Sequence, residues 1–282
     1  MIKILVDSGS SKSDWLVLEE NVASVHFELP GLNPMTQSKS SLLSQLEIAK
    51  NKLQSIHPES IMFYGAGCKD LAAQIIETLL KDLFPSSIVQ VHSDLLAAAR
   101  ANCAGKEGIV CIMGTGSHSC LSDGHQIIHE KPSLGYLLGD EGSGNHFGRL
   151  LLRAYFYKDF NPEVCQIFEQ SFPQISDHYL GQLYSSNRVS AELASFFPFI
   201  INHVEVPAVQ KIIEEGIESF YNFRVKQYKT QAELPIYFTG SVAFALQHQL
   251  ETYFAQKGFH NVFFNQKPLL KLAEYHIKYD RN

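Results

Sequence analysis

The sequence has little of several features that would point to a particular class of protein. Its 282 residues include only five cysteines, an odd number without CxxC spacing: Cys68, Cys103, Cys111, Cys120 and Cys165. This pattern excludes a small disulfide scaffold and a clustered zinc site. We therefore expect buried free thiols and a reducing compartment, the cytoplasm.

Positive charge and long apolar runs are scarce too. Lys and Arg number 23 against 29 Asp and Glu, so the net charge of −6 argues against a nucleic-acid surface. No apolar run approaches the roughly 18 residues that span a bilayer. The chain begins directly with a strand pattern, so we expect no signal peptide.

Several catalytic motifs are missing as well. The sequence contains no GxxxxGK[ST], HExxH, EF-hand or GxSxG pattern. The glycines at Gly114 and Gly116 do not form a dinucleotide fingerprint, because position 119 is Ser and a second strand follows instead of a helix. Of the 12 histidines, only His118, beside that turn, is a site candidate.

What the chain does contain is an internal repeat. Its length corresponds to about two domains. Residues 2–103 are predicted to follow the order βββαβαβα, with strands at 2–7, 15–18, 22–29, 61–64 and 88–91. The same order begins again at residue 108, with strands at 108–113, 118–121, 126–129, 236–238 and 262–264. At an offset of 107 residues, Gly9 and Ser10 match Gly116 and Ser117.

The repeat predicts an α/β protein of two similar lobes with an active-site cleft between them. The first lobe is predicted at 1–105 and the second at 106–282, with a helical insertion at about 145–230. The last helix is an exception, because it could pack on the first lobe. Chance recurrence of three-stranded openings is the alternative explanation.

Two turns have the composition of phosphate sites. The first carries Gly9, Ser10, Ser11 and Lys12, whose backbone N–H groups, hydroxyls and ammonium can bind phosphate oxygens. Asp7, just before it, could hold a hydrated Mg²⁺. The second turn contains Gly114, Thr115, Gly116 and Ser117. Each alone could be a plain hairpin turn, but the pair predicts a clamp on a polyphosphate.

Acidic side chains supply the candidate chemistry. Asp94 follows a strand and opens a helix, so it is expected to cap that helix and could also act as a general base toward a substrate hydroxyl. The glycine-rich segment 135–144 contains Asp140, predicted to accept a hydrogen bond from a substrate hydroxyl. Glu141 beside it is predicted to serve the helix N-terminus or a metal's second coordination shell.

A third glycine turn follows a late strand. Gly240 and Ser241 stand between a strand and a helix, where a ring or phosphate could lie on the backbone. A simple tight turn between strand and helix is an equal alternative for this pair.

Together these motifs resemble the acetate-kinase, sugar-kinase, Hsp70 and actin superfamily, and within it the BadF/BadG/BcrA/BcrD-type ATPases that include N-acetylglucosamine kinase. The segments that carry the resemblance are 7–14, 114–117, 139–143 and 239–241. The resemblance implies two ribonuclease-H-like lobes that close on ATP and Mg²⁺, with residues 240–243 near adenosine. It implies that Asp94 is the catalytic base and that sugar contacts come from Asn33, Gly67, His118, Gly135 and Asp140.

The implied activity is ATP-dependent phosphorylation of the 6-hydroxyl of an amino sugar, first of all N-acetylglucosamine, by a protein that is commonly a homodimer. Two positions depart from the family pattern near the sugar: His118 replaces an Asn, and Leu134 replaces a Trp before Gly135. Two other functions stay open: an ATPase that activates a partner enzyme, and a sugar or nucleotide sensor without catalysis.

Overall fold

The computed structural model describes residues 1–54, 56–175 and 178–280. The elements before residue 104 are, in chain order, β1 (Ile2–Ser8), β2 (Lys12–Glu19), β3 (Val22–Pro30), α1 (Lys39–Leu53), β4 (Ser60–Gly65), α2 (Asp70–Leu83), β5 (Ile88–Ser93) and α3 (Asp94–Cys103).

In the part of the chain that the structure describes, the second half repeats this order with additional helical segments before its fourth strand. Its first elements are β6 (Gly108–Met113), β7 (Ser117–Ser122), β8 (Ile127–Glu130), α4 (Gly135–Leu138), α5 (Gly144–Phe156), α6 (Pro162–Ser171), α7 (Tyr179–Ser185), α8 (Val189–Ala194), α9 (Phe197–Asn202) and α10 (Pro207–Phe220). There follow a π-helical turn (Tyr221–Val225), a 3₁₀ helix (Lys226–Gln231), β9 (Ile236–Thr239), α11 (Ser241–Ala245), α12 (Gln247–Gln256), β10 (Val262–Asn265) and α13 (Pro268–Tyr279).

The two five-stranded sheets have the same strand order. The first sheet runs β3-β2-β1-β4-β5, and the second runs β10-β9-β6-β7-β8, which is the same order read from the other edge. In the first sheet, β1 is antiparallel to β2 and parallel to β4. The predicted α/β fold with two βββαβαβα halves is therefore confirmed.

The chain forms two compact units in space. One comprises residues 1–110, 120–129 and those from Lys267 onward; the other comprises 111–119 and 130–266. Helix α13 belongs to the first unit, where it packs on α3. The predicted lobe boundary at residues 105 and 106 separates the two copies of the sequence repeat, whereas the compact units are groups of residues that contact one another in space. The boundary stays a prediction.

The first unit buries both faces of its sheet. On β1, Ile4 and Val6 point into a core shared with α1 and α2, which includes Leu80. Leu5 points to the other face, into a core that includes Leu272 of α13. This alternation is the period of a strand, and it explains why β1 is apolar at successive positions.

A buried polar chain fixes α13 in this unit. His276 Nε2 lies 2.8 Å from the Tyr64 hydroxyl, and its Nδ1 lies 2.7 Å from Asp280. Arg100 donates to the same tyrosine oxygen at 2.5 Å. Burial raises the pKa of Tyr64 to about 12 although Arg100 opposes the shift. The phenol therefore stays protonated and continues to bridge the two helices.

The second unit is centred on α5, which packs against α8, α9 and α10. Gly148 of α5 permits this, because a Cβ there would overlap the backbone carbonyl of Leu193. In the part of the chain that the structure describes, every helix is too short or too polar to cross a bilayer.

Two details differ from the sequence-based expectation. The βββαβαβα order predicts one helix at 242–255, between the last two strands. The structure breaks this helix at Leu246, whose backbone leaves the helical conformation (φ −102°, ψ 20°) while its side chain is fully buried. The sequence also predicts one buried helical face that extends to Phe223, from apolar residues at helical spacing: Val206, Val209, Ile212, Ile213, Ile217, Phe220 and Phe223. The π-helical turn shifts the helical phase, so Phe223 is exposed and Arg224 is buried instead.

We predict that His92 makes the stability of the fold depend on pH. Its pKa is lowered to about 4 by burial, with smaller effects of Arg100 and His276. Because the folded pKa lies below the ordinary value, protonation favours unfolding, and the stabilisation present above pH 6.5 is lost as the pH falls toward 4. His92→Gln should remove up to about 2 kcal/mol of this loss. Urea denaturation at several pH values measures the free energy of unfolding of both proteins. The same change of that free energy with pH in the parent and in His92→Gln would contradict the prediction.

Candidate active site

Three strands of the first sheet end side by side at the predicted site. The parallel register aligns Ser8 of β1 with Gly65 of β4 and Gly65 with Ser93 of β5. Asp94 follows Ser93 directly, and the Gly9 turn follows Ser8. The topology therefore brings the predicted base and the predicted phosphate turn to one edge of the sheet.

Asp94 is the first residue of α3, and its Oδ1 accepts a hydrogen bond from Leu95 N at 2.9 Å. The prediction that Asp94 caps this helix is wrong. Ser93 is the N-cap, since its hydroxyl accepts from Leu96 N at 3.3 Å. A serine at that position satisfies the helix end, so capping does not require the carboxylate of Asp94.

Asp7 lies in an acidic environment at the end of β1. Its pKa is raised to about 7, mainly by burial and further by Asp94 and Asp14, whereas Lys12 lowers it. Repulsion between carboxylates is relieved by a cation, and carboxylate oxygen is a ligand type that Mg²⁺ accepts. Among the described residues, no group of three or more His, Cys, Asp or Glu is arranged to hold a metal. The carboxylate of Asp7 is a donor type that Mg²⁺ accepts, and its metal role through water stays a prediction.

The turn from Gly9 to Lys12 packs closely against Gly31. Gly31 N donates to Ser11 O at 3.1 Å. A Cβ at Gly31 would overlap Gly9 O and would lie 2.7 Å from the carbonyl carbon of Ser10 and 2.9 Å from Lys12 N. All three atoms are backbone atoms, so the shape of the turn depends on the missing side chain at residue 31.

Asn33 joins this turn to the loop after β4. Its Nδ2 donates to Ser10 Oγ at 3.2 Å, and its Oδ1 accepts from Met35 N at 2.9 Å. Gly67 has φ +74°, and a Cβ there would overlap Asn33 Oδ1. The structure thus brings together Ser10 of the predicted phosphate turn and Asn33 and Gly67 of the predicted sugar site.

Lys12 has partners of its own. Its ammonium lies 3.0 Å from Glu28 and 3.2 Å from Asp14, and the side chain is exposed. Partial burial lowers its pKa, but these two carboxylates outweigh burial and raise the pKa. Lys12 is therefore a charged side chain at the turn whose contact with a phosphate would compete with two ion pairs.

In the second unit, two predicted nucleotide segments touch. Gly240 has φ +104°, and a Cβ there would overlap Met113 O and lie 3.1 Å from Gly114 N. The turn between β9 and α11 therefore rests on the turn between β6 and β7. Ser241 follows as the exposed first residue of α11.

Asp140 faces the same turn. Its Oδ2 accepts from Asn145 Nδ2 at 2.8 Å, and Ser117 N lies 3.4 Å from its Oδ1. Burial raises its pKa, while the bonds from Asn145 and Ser117 oppose the shift. Asp140 is buried with φ +58°, a left-handed conformation that is uncommon outside glycine. Gly116 leaves room for it, since a Cβ there would lie 3.1 Å from Asp140 Oδ2.

Asn145 and Arg224 are functional candidates that sequence reasoning missed. Asn145 Nδ2 also donates to Thr115 O at 2.7 Å, so one side chain joins the turn to Asp140. Arg224 Nε donates to Glu141 Oε2 at 2.8 Å, and only 3% of the arginine side chain is exposed. Glu141 therefore holds an ion pair, and the metal role proposed for it stays a prediction. No spacing signal indicated Arg224, because its burial depends on the π-helical turn.

The other two residues predicted to contact the sugar, His118 and Gly135, take no part in the hydrogen bonds of Asp140 and Asn145. His118 is buried, with Nε2 3.0 Å from Lys131 O and 3.4 Å from Glu130. Gly135 begins α4 with φ +66°, and a Cβ there would meet open space. A ligand role for either residue stays a prediction.

We predict that Gly240→Ala disrupts the second unit. Alanine at φ +104° is strained, and its Cβ would collide with the backbone of Met113. The free energy of unfolding should fall by at least about 2 kcal/mol. The control is Gly181→Ala, because a Cβ at that position in α7 meets open space. Urea denaturation measures both; equal stability of Gly240→Ala and the parent would contradict the packing described.

The chain matches no protein-family model and no curated protein. Among solved structures, it is 34% identical to the proposed N-acetylglucosamine kinase of Porphyromonas gingivalis, with a TM-score of 0.91 over 98% of this chain and 99% of that one. A proposed N-acetylglucosamine kinase of Chromobacterium violaceum shares the fold at 18% identity and TM-score 0.75, covering 97% of this chain and 98% of that one.

The fold is also that of a ROK family glucokinase from Streptomyces griseus, solved with glucose and AMPPNP, at 14% identity and TM-score 0.60 over 97% of this chain and 98% of that one. The first of these three matches is close enough in sequence to establish kinship. The chain belongs to the same family as the proposed N-acetylglucosamine kinase of Porphyromonas gingivalis, and it has the actin-like kinase fold.

Proposed function

We propose that this protein is an ATP-dependent kinase that phosphorylates the 6-hydroxyl of an amino sugar, with N-acetylglucosamine as the first candidate. One observation carries the proposal: a single sheet edge in the first unit holds Asp94, Asp7, the Gly9–Lys12 turn and Asn33. Phosphoryl transfer to an alcohol uses a base, a carboxylate that can hold a metal and a loop that binds phosphate, and Asn33 adds a polar amide for the substrate.

Asp94 acts as the general base in this mechanism. The sugar oxygen forms a bond to the γ-phosphorus, the bond from that phosphorus to the bridging oxygen of ADP breaks, and the hydroxyl proton passes to Asp94. The hydrogen bond from Leu95 N to Oδ1 holds the carboxylate in one orientation. Orientation matters because most of the catalysis in this reaction comes from positioning.

The phosphates are assigned to the glycine turns. In the first unit, backbone N–H groups of residues 9–12 and the Ser10 hydroxyl can donate to phosphate oxygens. In the second unit, residues 114–117 have the same composition, and Gly240 beside them allows close approach of a nucleotide. Mg²⁺, held by Asp7 through water, would supply charge neutralisation for the phosphates.

Asp140 is assigned to a sugar hydroxyl. Its two carboxylate oxygens already accept from Asn145 and Ser117, and each oxygen has a second lone pair for a ligand. A buried carboxylate whose other hydrogen bonds are fixed favours a substrate with a hydroxyl over an analogue without one, because the analogue would leave the carboxylate oxygen without its partner.

We also propose that the enzyme works in the cytoplasm. Its five cysteines are free thiols, which a reducing compartment preserves.

We predict that Asp94→Asn lowers kcat by about 10²- to 10⁴-fold while ATP still binds, because the amide cannot accept the proton. The matched control is Asp70→Asn, since Asp70 is the first residue of α2 as Asp94 is of α3. Turnover is measured by sugar phosphate formation and ATP affinity by calorimetry. Full sugar phosphorylation by Asp94→Asn would exclude Asp94 as the base.

We predict that ADP release with MgATP is stimulated by one amino sugar in a panel of N-acetylglucosamine, glucosamine, N-acetylmuramate and glucose. Stimulation by N-acetylglucosamine supports the proposal, and stimulation by another sugar corrects the substrate. Turnover that no sugar changes would contradict it and favour an ATPase that serves a partner protein. Ligand binding without turnover would favour a sensor.

A further inference from the structure

A pocket of about 260 Å³ lies in the second unit. Gly139, Glu141 and Arg149 are among the residues that line it. Its polar lining comes from Glu141, His146, Arg149 and Arg153, and apolar side chains complete it. The three basic side chains lie on α5 at the spacing of one helical face. The proposed reaction uses none of these three.

Arg149 lines this pocket and, among the described residues, lacks a close counter-ion. One Nη donates to Gly139 O at 2.8 Å. Its Nε is buried and meets no acceptor in the part of the chain that the structure describes. Because this Nε is closed off from solvent, the other guanidinium nitrogens are the ones that a ligand in the pocket could reach. Burial also lowers the pKa of this guanidinium, although Asp140 and Glu141 oppose the shift.

The nearby carboxylates have other partners. Asp140 accepts from Asn145 and Ser117, and Glu141 pairs with Arg224 at 2.8 Å. Over residues 1–54, 56–175 and 178–280, no carboxylate lies within ion-pair distance of Arg149. The charge of Arg149 is therefore balanced only at longer range.

His146 and Arg153 add donors. Nδ1 of His146 accepts from Gly142 N at 3.1 Å, so the ring proton resides on Nε2. Burial, followed by Arg149 and Arg153, lowers the pKa of His146 to about 4, so the ring is neutral at pH 7. Arg153 pairs with Glu215 at 2.6 Å, and about half of its side chain is exposed.

We propose that this pocket binds a small organic oxyanion, a phosphate monoester or a carboxylate, attached to an apolar group. The accessible guanidinium nitrogens of Arg149 would donate to the oxyanion, with Arg153 and His146 as further donors. Leu137 and Leu138, which are 72% and 76% exposed, would contact the apolar group. This site stands whether or not the protein transfers phosphoryl groups.

An occupant of the pocket would act on the loop that carries Asp140. Arg149 holds the carbonyl of Gly139, which directly precedes Asp140. An anion that draws the guanidinium toward itself changes that hydrogen bond. The pocket is therefore placed to regulate whatever Asp140 binds.

Calorimetric titration with phenyl phosphate, benzoate, inorganic phosphate and chloride at matched ionic strength tests the site. We expect phenyl phosphate to bind about tenfold more tightly than inorganic phosphate, because the ring buries against leucine. Arg149→Gln should weaken phenyl phosphate by at least about tenfold, since a hydrogen bond to a charged group is lost. Arg188→Gln, which removes an exposed arginine of the same unit, should change nothing.

Two further variants separate this pocket from the phosphate turns and from misfolding. Ser10→Ala should keep the phenyl phosphate signal, because Ser10 belongs to the turn after β1. Arg153→Gln, at a half-exposed position, should weaken binding about threefold even if Arg149→Gln fails to fold. The proposal is overturned if chloride binds as well as phenyl phosphate, or if affinity is unchanged in Arg153→Gln and in folded Arg149→Gln.

Discussion

Close approach of backbone to backbone at two glycines determines the geometry of the candidate site. Gly31 contacts the turn from Gly9 to Lys12, and Gly240 contacts Met113 and Gly114. At both places a Cβ would overlap main-chain atoms, which cannot move aside as a flexible side chain could. The shapes of both glycine turns, on which the proposed phosphate binding depends, follow from these contacts.

Much of the fold was predictable because local signals and global order agree. The strand period, the glycine turns and the repeat at 107 residues gave two βββαβαβα halves, and the strand orders of both sheets bear this out. Within the first unit, the pairing of Ser10 with Asn33 joins two segments singled out from sequence for different ligands. The strand order of the first sheet positions them, since parallel strands end at one edge.

What the sequence did not reveal depends on long-range packing. The burial of Arg224 requires the π-helical turn before it, and no propensity of single residues predicts that turn. Asn145 reaches both Thr115 and Asp140 across 30 and 5 residues, a contact without a spacing signature. Ser93 took the capping role expected of Asp94, because serine one position earlier completes the helix end equally well.

We propose that the residues at the sheet edge that carries Asp94 catalyse phosphoryl transfer to an amino sugar. The most direct measurement is phosphorus and carbon NMR of the products formed from MgATP and N-acetylglucosamine. We expect a phosphate ester on the oxygen of carbon 6, formed in equal amount with ADP. ADP or inorganic phosphate accumulating without any sugar ester would contradict the claim.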